Sequence, residues 1–159
     1  MDIKMNQDNM KLASVLLENL KEMNKAYQAA HESVLGFSWK KLWPFNQFLP
    51  QVDFLRVMRI LEQVREATRQ QHQFIAKEKA GANPADQDFI KTVPPYLDAI
   101  AECCTQLVRI AQYKQDKLEK RDVGGVLVFN RLLKDYEETI SRMRNAGLVS
   151  MNAWNDRPS

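Results

Sequence analysis

Two histidines and two cysteines are the side chains of this sequence best suited to hold a metal or attack a substrate. If the first two helices pair head to tail, His31 faces the level of residue 56. His72 then sits about 24 Å further along its helix, too far for a shared ion. Di-iron bundles draw their ligands from Glu-x-x-His pairs, and no glutamate here is followed by histidine three residues on. Cys103 and Cys104 are adjacent. On a helix they point about 100° apart, which rules out an ordinary disulfide, and neither belongs to a C-x-x-C pair. Glu102 beside them would raise rather than lower a thiol pKa, so the pair reads as small apolar filler in a reducing compartment. No metal and no cofactor are expected, and the histidines read as partly buried structural groups.

The other polar groups give no stronger chemistry. Gly124-Gly125 lacks the flanking glycines, lysine and preceding strand of a phosphate cradle and reads as a turn. Asp86, Asp88, Asp98, Glu137 and Glu138 show no paired spacing suited to acid–base work. Arg59, Arg65 and Arg69 are interrupted by Glu62 and Glu66, which pair with arginines three or four residues away. With a net charge of only +3 and both signs interleaved, the chain has no basic face for tracking phosphates, and nucleic acid is not the expected partner. Thr68 and Gln71, near the level of Thr105 and Gln106, could form a polar layer that fixes register. With Cys104 they could instead line a small interhelical pocket.

The elements that position these residues are helical throughout. A chain of 159 residues, 45% hydrophobic and 27% charged, with only 5 Gly and 6 Pro, has the composition of one globular domain poor in turns. A first helix runs from Asp8 or Asn9 to Leu35, with Gly36 as a left-handed stop. Its seam is Ala13, Leu16, Leu20, Met23, Tyr27, Ala30 and Val34, in alternating steps of three and four. A second seam runs Phe54, Val57, Leu61, Val64, Thr68, Gln71, Ile75. Asn83-Pro84 starts a short helix or turn, and Pro94-Pro95 predicts that the main third helix begins only there, with Leu97, Ile100, Cys104, Leu107 and Ala111 as its seam. The fourth seam is Val126, Phe129, Leu133, Tyr136, Ile140, Met143, ending before Gly147. The fold class is therefore all-α, an antiparallel up-down-up-down four-helix bundle over residues 1–147 with a loosely ordered tail, 148–159.

Between the first two helices lies GFSWKKLWPFNQFLP, residues 36–50, where Pro44 and Pro50 forbid a continuous helix. Phe37, Trp39, Trp43, Phe45 and Phe48 beside Lys40 and Lys41 need cover. The bundle end carrying Val126, Leu127, Val128 and Phe129 lies at the same level, so the segment reads first as a lid over it. A docking surface for a partner or a second copy is the next reading, and a lipid headgroup contact the third. No apolar run is long enough to cross a bilayer, and the early acidic, helix-periodic residues do not resemble a signal peptide, which favours the cytoplasm. The expected role is that of a non-enzymatic, homodimeric protein-binding bundle, acting as adaptor, inhibitor or immunity-type binder. A sensor bundle binding a small ligand near Thr68, Gln71 and Cys104, or a peripheral membrane binder, are the alternatives.

Overall fold

The computed structural model describes residues 2–36 and 52–158, with side chains described from residue 12 onward. Within these residues the protein is all-α and contains no strand. The described residues form four long helices, α1 (Asp2–Leu35), α2 (Phe54–Glu78), α3 (Gln87–Leu118) and α4 (Val126–Asn155), with two short 3-10 turns between α2 and α3 and a short connection between α3 and α4. None is long and apolar enough to cross a membrane.

Each helix start follows its local chemistry. The Asp53 carboxylate accepts from the Arg56 amide at 2.9 Å and caps α2. Asn83 accepts from the Ala85 amide at 3.0 Å ahead of Pro84, and this 3-10 turn runs directly into α3. The end of α3 is a Schellman motif. Lys120 adopts φ 58°, the Arg121 amide reaches the Asp116 carbonyl at 2.9 Å, and the Lys120 amide reaches Lys117 at 3.1 Å. At the end of α1, Gly36 donates to the Glu32 carbonyl at 2.8 Å without the expected positive φ. Its glycine is needed for space instead: a Cβ there would lie 2.1 Å from that same oxygen.

The core matches the seams of α1 and most of α2, and α3 is buried more widely than its seam implied. Ile90, Val93, Cys103 and Ile110 add a second buried stripe to Leu97, Ile100, Cys104 and Leu107, because α3 packs against α1, α2 and α4. This explains why α3 does not begin at Pro94. The helix starts seven residues earlier, at Gln87, and carries Pro94 and Pro95 in its interior. The prolines remove the amides that the Ile90 and Lys91 carbonyls would accept, at a cost of about 3 kcal/mol each. Burying Phe89, Ile90 and Val93 recovers roughly 1.5–3 kcal/mol apiece, so packing offsets the loss.

The fourth helix also departs from expectation. It passes through Gly147 and continues to Asn155, so residues 148–155 are helix rather than loose tail. Glycine is favoured at 147 by close packing, since a Cβ would meet the Tyr96 ring at 3.2 Å. Beyond it Ser150 donates to the Thr92 carbonyl at 3.1 Å, Trp154 meets Phe89 edge to face at 5.1 Å, and Arg157 pairs with Asp86 at 3.0 Å. These pairs, with Glu102–Arg142 and Tyr113–Phe129, step in opposite directions along α3 and α4.

Candidate functional site

The most exposed apolar side chains among the described residues begin α4. Val126 is 73% and Leu127 85% exposed, and Val128, Leu118 and Leu55 are also open to solvent. Beside them lies a cavity of about 770 Å³ with Phe54, Tyr113 and Phe129 on its walls and Lys114 and Lys117 at its edge. Gly124, at φ 78°, makes the turn into α4, and a Cβ there would strike Val128 Cγ2 at 2.7 Å. Tyr113 stacks on Phe129 at 5.2 Å. Lys114 lies over the same ring and donates to the Val34 carbonyl, placing a cation at the negative end of α1. This end of the molecule is thus built from the last turns of α1 and α3 and the first turns of α2 and α4. The chain leaves it at Gly36 and returns at Val52. Phe37, Trp39, Lys40, Lys41, Trp43, Phe45 and Phe48 lie outside the described residues.

Thr68, Gln71 and Cys104 have different surroundings. The buried Thr68 hydroxyl donates to its own helix at Arg65 O, 2.6 Å away, and its side chain lines an open groove between α2 and α3. Gln71 turns toward α1 and accepts from Asn19 at 3.1 Å. Cys104 is fully buried, and burial pushes its thiol up to about 12, with the neighbouring Cys103 adding to the shift. The Cys103 thiol is raised as well, chiefly by burial. Neither sulfur supplies a thiolate at neutral pH. In the α2–α3 groove His72 Nε2 meets Asp98 Oδ1 at 2.8 Å on a largely exposed surface, and the one hydroxyl among the described lining residues, that of Thr68, is already engaged by the Arg65 carbonyl. Among the described residues no three histidine, cysteine or carboxylate side chains gather where they could hold a metal ion.

A polar cluster that sequence reasoning missed lies between α1, α3 and α4. The Tyr27 and Tyr136 hydroxyls share a short hydrogen bond in the core, and His31 Nδ1 lies 2.7 Å from Tyr136 Oη. Burial raises both phenol pKa values, so both stay neutral. The signal was present in the two seams, since a tyrosine at a core position brings a hydroxyl that needs a partner.

With His31 neutral and its proton on Nε2, Nδ1 accepts from Tyr136, whose oxygen then accepts from Tyr27. Burial, assisted by Arg144 and opposed by Glu32, holds the His31 pKa below the ordinary histidine value. The folded state therefore binds this proton less readily than the unfolded chain does. Stability is complete above the unfolded value, about 6.5, and is lost as pH falls through the lower folded value. Urea unfolding at pH 7.5 and pH 5 should show the wild type losing more on acidification than a His31→Gln variant. Equal losses would remove His31 from the account.

Compared with protein-family models, curated proteins and solved structures, the chain finds no match in any of the three. Function must therefore be argued from the surface just described.

Proposed function

We propose that the four helices form an antiparallel up-down-up-down bundle and that the protein is a non-enzymatic, cytoplasmic binding module. Its contact surface is the end built around the first turn of α4. The opposed order of the α3–α4 pairs supports the bundle topology. The exposure of Val126 and Leu127 beside an apolar-walled cavity supports the binding role most directly. An exposed apolar group costs solubility unless a partner covers it, and interfaces concentrate their energy in such central anchors. The partner is a second copy or a distinct protein. Trp39, Trp43, Phe45 and Phe48 enter this reading by sequence alone, as aromatic residues of the segment joining Gly36 to Val52. Two fully buried free thiols suit a reducing compartment.

Leu127→Glu tests the reading directly. The side chain is so exposed that folding stability should change by no more than about 0.5 kcal/mol. Self-association measured by light scattering, or capture of the wild-type partner in a pull-down, should fall at least tenfold. Unchanged assembly and unchanged partners in Leu127→Glu and in Trp39→Ala/Trp43→Ala would overturn it.

A further inference from the structure

Away from that end, a second slot of about 470 Å³ runs between α1 and α4, within the roughly 300–1,000 Å³ of small-molecule sites. Tyr27 and His31 of α1 reach Tyr136 of α4 through their side chains, and beyond this cluster Phe89 and Tyr96 of α3 join the lining of the slot. Leu20 and Phe89 at the bottom are more than nine-tenths buried, whereas Leu148 on the rim is 62% exposed. Gly147 leaves room beside Tyr96 that any side chain would fill.

The lining is graded in polarity. At the Tyr96 end, Asn24 donates to the Tyr96 hydroxyl at 2.6 Å, and Lys21 and Arg144 stand on opposite rims. Arg144 has no ion-pair partner among the described residues, and Lys21 is engaged only by Glu18 in an exposed pair at 3.0 Å that a competing anion displaces easily. Toward the other end the walls are Leu17, Phe89 and Met151, and the one hydroxyl there, Ser150, is spent on the Thr92 carbonyl. Among the described residues no carboxylate lines the slot.

We propose that this slot binds one long-chain fatty acid, with the acyl chain along Leu17, Phe89 and Met151 and the carboxylate held between Lys21 and Arg144. Two cations at one end and a mostly apolar wall at the other match a single-chain anionic amphipath. A partner helix is about 10–12 Å across and would need a wide, exposed floor, whereas Leu20 and Phe89 at the bottom of this slot are more than nine-tenths buried. The slot is separate from the α4 end proposed above as the protein-binding surface.

Calorimetric titration of the full chain at pH 7.5 with sodium laurate below its micellar concentration tests this, with dodecyltrimethylammonium as the matched cationic probe. One laurate should bind per chain, and the cationic probe at least tenfold more weakly. Lys21→Glu/Arg144→Glu should weaken laurate at least tenfold, while Arg144→Lys stays within about threefold. Leu17→Trp, which fills the apolar end, should abolish laurate binding whatever the charge-reversed variant does to the fold. Equal binding of both probes, uptake that never saturates at one per chain, or wild-type affinity in Leu17→Trp would overturn the proposal. So would a dimer seated over the slot, seen as laurate binding lost when protein concentration rises.

Discussion

Replacing Arg157 with alanine is expected to lower the unfolding free energy by about 3 kcal/mol, although the residue stands near the end of the chain. Its guanidinium donates to Asp86 Oδ1 at 3.0 Å, its Nε donates to the Trp154 carbonyl at 3.1 Å, and its centre lies 3.4 Å from the Trp154 ring centroid. Asp86 is only 3% exposed and its second oxygen already lacks a partner. Without Arg157 a buried carboxylate would have neither a counter-charge nor a hydrogen bond at Oδ1, which is the costly case for buried pairs. The partial exposure of Arg157 keeps the loss at the lower end of the usual range. Urea denaturation of Arg157→Ala, Asp86→Asn and the double variant reads the effect, and the double variant should lose less than the two singles together. Ending the chain at residue 147 should cost more, because it also uncovers Phe89 by removing Trp154 and frees the Thr92 carbonyl by removing Ser150. A loss below about 1 kcal/mol in Arg157→Ala would place the pair with ordinary surface ion pairs.

Tyr136→Phe is expected to cost about 2 kcal/mol, and Tyr27→Phe about 1 kcal/mol. The asymmetry follows from position. Tyr136 Oη serves two groups, the Tyr27 hydroxyl and His31 Nδ1, and losing it leaves a buried hydroxyl with no oxygen partner and an imidazole nitrogen unmatched. Losing the Tyr27 hydroxyl leaves Tyr136 still paired with His31. An orphaned buried polar group costs more than a missing pair, so Tyr27→Phe/Tyr136→Phe should be no less stable than Tyr136→Phe alone, with the unfolding midpoint as the measurement. A double variant weaker by the full sum of the singles would mean that the two hydroxyls act independently rather than as a coupled pair.

How far the sequence carried the fold depends on the element. The seams of α1 and α2 repeat in steps of three and four with few interruptions, and Ala13, Leu16, Leu20, Met23, Tyr27, Ala30 and Val34 are all buried. Local signals misled where tertiary packing outweighed them. Pro94-Pro95 reads as a helix start because each proline removes a donor, but the burial of Phe89, Ile90 and Val93 is visible only once α4 and α1 are in place. Gly147 reads as a stop because glycine favours turns, yet here it gives Tyr96 room. The exposed start of α4 was legible as four successive apolar residues. The Tyr27–Tyr136–His31 cluster and the slot between α1 and α4 were not, since both depend on which faces of distant helices meet.

The uneven burial of α4 has a consequence for its motion. Only Tyr136, Thr139 and Ser150 are deeply buried along its thirty residues, with Trp154 as a partly buried fourth hold, so the helix is fastened at its middle and far end. Before Tyr136 the helix is held by partly buried contacts alone, Phe129 against Tyr113 and Leu132 and Leu133 against the core, so local opening of this stretch should cost less than global unfolding. The most apolar turn of the surface therefore lies on the more lightly held part of α4.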